Sequence, residues 1–175
     1  VSDGIIEVDF TAERRELVLG EDATRIDAWT YNGELPGQEL RMQLGQTLRL
    51  NLTNKLDEPT TIHWHGVRVE NSMDGVPGIT QEAVDPGETF TYEITPKDAG
   101  TYWFHPHYNT SEQIERGLYH ALIVEDAFVD SFTLDETWVL DDWRVVDGQL
   151  YPYFNTCLLY TSDAAAASTC VGDCG

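Results

Sequence analysis

Two His-x-His pairs, His63-Trp64-His65 and His105-Pro106-His107, hold four of the chain's five histidines, and they restrict its fold more tightly than any other feature. In an extended strand alternate side chains share a face, so His63 and His65 point one way, about 6.6 Å apart at ~3.3 Å per residue. The same reading applies to His105 and His107. Trp64 then faces the opposite side, where its indole belongs to a core. If the two strands lie side by side, four imidazoles converge on one patch, and imidazole suits copper, zinc, iron or nickel. A lone histidine is more often structural, but two such pairs in one small domain indicate a metal site. Four histidines would also fill one closed tetrahedral zinc site, yet same-face pairs on two strands span more room than one ion needs. A multinuclear copper site uses that geometry better, and copper(II) heads the divalent affinity order for neutral imidazoles. A zinc hydrolase is a weaker alternative, because no open coordination position stands beside an obvious general base.

The punctuation around the pairs is that of an all-β domain. Short runs rich in Val, Ile, Thr, Leu and aromatics alternate with Gly, Pro, Asn and Asp clusters such as Asn32-Gly33, Asp74-Gly75 and Pro86-Gly87. Strands are expected at Ile5 to Phe10, Arg15 to Leu19, Thr24 to Tyr31, Glu39 to Met42, Thr47 to Asn54, Thr60 to His63, Thr89 to Ile94, Gly100 to His105, Tyr119 to Val124 and Glu136 to Asp141. In Thr47 to Thr53 the alternation is unbroken, which turns Leu48, Leu50 and Leu52 toward the core. A helical turn is expected only near Ser111 to Arg116. Ten short strands at this spacing predict a sandwich or barrel.

The 175 residues suffice for one domain with a proper core and the start of another. Residues 1–126 read as that domain. Residues 127–136, acidic and without rhythm, read as a linker. Residues 137–156 read as the opening of a second domain, with a hairpin from Trp138 to Trp143 returning through Asp147-Gly148. From Cys157 to Ala165 the sequence resembles the peptide produced when a sequencing adapter is translated, followed by an alanine run, so residues 157–175 read as a non-native tail. All three cysteines, Cys157, Cys170 and Cys174, fall in that tail. The body therefore has no thiol for a disulfide, a zinc-thiolate site or a cysteine nucleophile. Neither a leader segment nor an apolar run long enough for a membrane helix is visible.

Thirty-one acidic against ten basic side chains give a formal charge of -21. Such a surface repels phosphate backbones, which argues against a nucleic-acid partner. With Lys55 and Lys97 the only lysines, the balance reads as adaptation to high salt, where counterions screen self-repulsion. The expected result is greater stability in molar salt than in dilute buffer.

The segments Tyr31 to Gly37, Thr60 to Gly66, Met73 to Gly78, Ala99 to His107 and Gly117 to Tyr119, in this order and spacing, resemble the N-terminal cupredoxin domain of the multicopper oxidases, the laccase-like family. The resemblance runs from about Ile5 to Asp126, and Asp141-Asp142-Trp143-Arg144 resembles the opening of the family's next domain. It implies a cupredoxin-like Greek-key sandwich and copper as cofactor. Residue by residue it implies His63 as a type 2 copper ligand, His65 and His105 as the pair on one type 3 copper, and His107 as a ligand of the other. Asp74 matches a carboxylate that relays protons toward reduced oxygen; as a plain turn residue it would simply stabilise Asp74-Gly75. His120 stands where the family has a small residue and is expected to be structural. The sequons at Asn51 and Asn109 read as accidental, one in a strand and the other beside the site.

The family's remaining cluster ligands and its blue copper, which needs a cysteine thiolate with two histidines, belong to a C-terminal domain or another subunit. The resemblance thus implies a fragment of an oxidase that couples one-electron oxidation of phenols or metal ions to reduction of dioxygen to water, inactive alone. It also implies a secreted, periplasmic or cell-surface location. A non-catalytic copper-binding cupredoxin module is the alternative.

Overall fold

The computed structural model describes residues 4–20, 24–126, 134–146 and 149–150. In chain order its main strands are β1 (Ile5–Leu19), β2 (Thr24–Tyr31), β3 (Leu40–Gln43), β4 (Thr47–Asn54), β5 (His63–His65), β6 (Thr89–Ile94), β7 (Gly100–His105) and β8 (His120–Glu125), with α1 (Thr110–Glu115) between β7 and β8 and, beyond the one helical turn expected, a 3-10 turn at Asn71–Met73. They form two four-stranded sheets, ordered β2-β1-β4-β6 and β3-β8-β7-β5. The expected all-β, cupredoxin-like sandwich is what the chain adopts.

Alternation explains how the sheets close on each other. Leu48, Leu50 and Leu52 of β4 are buried and share one core cluster with Met42 of β3, Trp64 of β5, Phe104 of β7 and Leu122 and Val124 of β8. Aromatic rings bridge the layers. Phe10 stacks on Tyr31 at 5.1 Å, Phe104 meets both at 5.8 and 5.9 Å, and Trp64 contacts Phe104 at 5.9 Å and Tyr92 at 5.8 Å. Each such pair contributes about 0.5–1.5 kcal/mol beyond its buried area, and together they fix β5 and β7 over the opposite sheet.

Two strand expectations away from the histidines change. The run expected as separate strands before and after Thr11 is one 15-residue strand, because β1 changes partner at Ala12. Ile5 to Ala12 pairs parallel with β4, and Ala12 to Leu19 pairs antiparallel with β2. The strand expected at Glu136 to Asp141 is irregular, and its Trp138 and Leu140 are 79% and 90% exposed. Among the described residues no strand pairs with it, and Asp141 is turned instead toward Tyr119 and Trp143. Pairing comes later, between β9 (Val145–Val146) and β10 (Gln149–Leu150). The tail from 157, with its three cysteines, lies outside the described residues. Among the described residues no helix is long and apolar enough to cross a membrane.

Candidate metal centre

β5 is only three residues long, and it is held from three sides. Thr60, fully buried, exchanges backbone hydrogen bonds with Val84 and donates its hydroxyl to Gln113 Oε1 at 2.7 Å. The Ile62 amide donates to the buried Tyr92 hydroxyl at 2.8 Å, and burial pushes that phenol up to about 12. Antiparallel pairing with β7 then sets His63 opposite His105, Trp64 opposite Phe104 and His65 opposite Trp103. The strand was expected to end at His63; it begins there, since Thr60 and Thr61 are used in loop contacts.

Register places the imidazoles on one face while Trp64 and Phe104 enter the core fully buried. The candidate ligating atoms of His63, His65 and His105 all lie within 4.8 Å of one another. The His107 ring stands 5.2 Å from that of His63 and 6.5 Å from that of His105. It does so from outside the strand. β7 stops at His105 because Pro106 has no N–H to continue the ladder, and the His107 amide is caught by Thr61 Oγ1 at 3.0 Å. The second pair is thus gathered by a bend rather than by the strand alternation expected for it.

Hydrogen bonds select which nitrogen each ring presents. His63 Nδ1 donates to the Asp74 carbonyl at 2.7 Å, and His105 Nδ1 donates to the Pro106 carbonyl at 2.8 Å, so in both rings Nε2 carries the lone pair. His65 brings Nδ1 to 3.1 Å from His105 Nε2. The Asp74 carboxylate lies 3.5 Å from His63 Nδ1. Asp74 reaches this place through Gly75, whose φ of +75° carries the chain hard against β5. A β-carbon there would sit 1.8 Å from the Ile62 carbonyl oxygen.

Burial holds the His105 imidazole down to about 4, opposed by its bond to the Pro106 carbonyl and reinforced by the neighbouring rings. Desolvation, followed by His63 and His107, also lowers His65. Both rings are therefore neutral at pH 7, as metal ligation requires. The donor set fits a metal on geometry too. Two imidazole nitrogens bound to one ion at about 2.0–2.1 Å stand roughly 3 Å apart, close to the His65–His105 separation.

His63, His65, His105, His107 and Asp74 come together. His120 does not join them: it lies on β8, beside β3 rather than β5, and accepts the Ala121 amide at its own Nδ1. Sequence reasoning missed Trp103, Thr61 and Gln113. Trp103 had a usable signal, since it shares a face with His105 by strand alternation. Gln113 had none: it is a fully buried amide that ties α1 to Thr60, Glu58 and the Pro59 carbonyl.

Comparison with known proteins adds an independent observation. The profile of a family described as multicopper oxidase matches residues 14–128. Copper resistance protein A of Escherichia coli is 40% identical over 135 residues, which cover 73% of this chain and 22% of that protein. The multicopper oxidase MmcO of Mycobacterium tuberculosis is 38% identical over 120 residues, 67% of this chain and 23% of that protein. The crystal structure of a multi-copper oxidase from Pseudomonas thermotolerans superposes with a TM-score of 0.74 at 39% identity, covering 85% of this chain and 36% of that one. The chain thus spans less than a quarter of the length of either sequence relative.

Proposed function

The chain belongs to the multicopper oxidase family, and from that premise we propose that it supplies half the ligands of a type 2/type 3 trinuclear copper cluster. The enzyme it serves would couple one-electron oxidation of small reductants, phenols or metal ions, to reduction of dioxygen to water. His63 takes the type 2 position, His65 and His105 share one type 3 copper, and His107 serves the other. The observation that carries this reading is the grouping of the His63, His65 and His105 nitrogens within 4.8 Å at the meeting of two paired strands. Copper held there would supply one-electron redox chemistry toward dioxygen.

The chain's own residues orient and protonate. The carbonyls of Asp74 and Pro106 fix the tautomers of His63 and His105. The partly exposed Asp74 carboxylate, 3.5 Å from His63 Nδ1, stands between solvent and the patch, where it can relay protons inward. His65 and His107 are exposed, the side from which the missing ligands of a C-terminal cupredoxin domain or another subunit approach. That partner also carries the type 1 copper where electrons enter, so this chain alone is inactive. We infer a secreted, periplasmic or cell-surface location from membership of the family.

The test is oxygen consumption and copper content of the full-length protein. Asp74→Asn is expected to slow oxygen reduction by ~10²-fold or more with copper content unchanged. His105→Ala is expected to abolish turnover and to lower the copper content. Full turnover in either variant contradicts the assignment.

A further inference from the structure

Trp103 sits at the one position of β7 that register places opposite His65 and strand alternation places beside His105. Its ring stacks on His65 at 4.8 Å with 28° between the planes, and lies 4.1 Å from the His105 ring at 32°. One flat indole therefore backs the two imidazoles whose nitrogens stand 3.1 Å apart. The two rings need this backing unequally. His105 is buried and has its Nδ1 bonded to the Pro106 carbonyl, while His65 is exposed and its described contacts are Trp103 and its neighbouring histidines.

A histidine turns about two side-chain torsions, and the outer one is broad, so an exposed imidazole without a backbone partner spreads over many orientations. A plane pressed against its face removes most of them. We propose that Trp103 is a positioning residue: its indole pre-aligns His65 with His105 so that both nitrogens meet one metal ion without reordering. This rests on the copper reading above and adds to it a residue that touches no metal and does no chemistry. What matters is the flat aromatic surface. An apolar side chain without a plane fills part of the space but leaves the His65 ring held only by its neighbouring histidines.

Two measurements on the full-length protein test this. In the copper-free wild type, proton NMR is expected to show through-space contacts from the indole to the ring protons of both His65 and His105; their absence overturns the proposal without any variant. Copper(II) titration of the copper-free protein is then compared for wild type, Trp103→Phe and Trp103→Leu, with the thermal midpoint of each followed alongside. Trp103→Leu is expected to weaken copper binding ~10- to 100-fold, while Trp103→Phe stays close to wild type even if both variants lose similar thermal stability. Equal binding by Trp103→Leu and wild type, or equal losses in Trp103→Phe and Trp103→Leu, defeats the positioning role while the copper reading stands. A wild type that takes up no copper at these histidines defeats both.

Discussion

Trp64 and Trp143 show two ways in which this chain places a tryptophan. Trp64 lies in the middle of β5, fully buried, between backbone ladders and the rings of Phe104 and Tyr92. Trp143 lies on an irregular segment, half-buried against Ile26 and Ala28 on the outer face of the first sheet. It is held there by side chains: its indole N–H and the Tyr119 hydroxyl both donate to the Asp141 carboxylate, and Arg41 reaches Asp135 on the same segment at 2.8 Å. The difference is in what orients the groups. Around His63 and His105, backbone carbonyls and strand register do so, leaving little freedom to remove when a ligand binds. Along 134–146, carboxylates and one indole do so, which suits a segment that docks onto the domain rather than forming its core.

If that contrast is right, damage at the two tryptophans should differ in size. Trp64→Ala is expected to cost about 3–5 kcal/mol, read as a fall in the urea midpoint, and to loosen both strands that carry histidines. A loss below ~1 kcal/mol would mean that the ladder, not the indole, holds β5.

Acid should strike the histidine side next. The His105 pKa is depressed from 6.5 to about 4 in the folded state, so the unfolded chain takes up the proton first. Its contribution is complete above pH 6.5, falls as pH drops from there, and is gone below about 4. The span corresponds to on the order of 3 kcal/mol. The check is the loss in unfolding free energy between pH 7.5 and 4.5 in wild type against His105→Gln, a comparison that cancels the many carboxylates. Equal losses would contradict it.

The docked segment should yield smaller effects. Trp143→Ala is expected to cost about 1–2 kcal/mol, with hydrogen exchange rising along 134–146 while β5 and β7 keep their protection. Arg41→Ala removes a partly exposed network with Glu39, Glu125 and Asp135 and is expected to cost less than about 1 kcal/mol. It should do so mainly in low salt. If Arg41→Ala exceeded Trp143→Ala, ion pairing rather than apolar contact would dominate the docking.

Legibility in the sequence followed the same division. β2, β4, β6 and β7 lie where apolar runs and turn residues put them, and β4 shows the period of two along its whole length. β1 misled because Thr11 to Glu16 reads as polar, and only tertiary pairing shows that Ala12 changes partner there rather than ending a strand. The histidine patch was legible from spacing, although Pro106 brings His107 in by a bend. Trp103 was legible by alternation as a same-face neighbour of His105, but its contact with His65 depends on the register with β5. Asp74 was legible as a turn residue, but that its backbone carbonyl holds His63 depends on the close approach of Gly75 to Ile62.

Copper stoichiometry of the full-length protein tests most directly whether the two pairs serve one shared pocket. Three variants decide it: His63→Ala with His65→Ala, His105→Ala with His107→Ala, and all four together. Loss of the same copper from each pair variant, with no further loss when they are combined, is the predicted result. Separate losses that add in the fourfold variant would show two independent sites and contradict a common cluster.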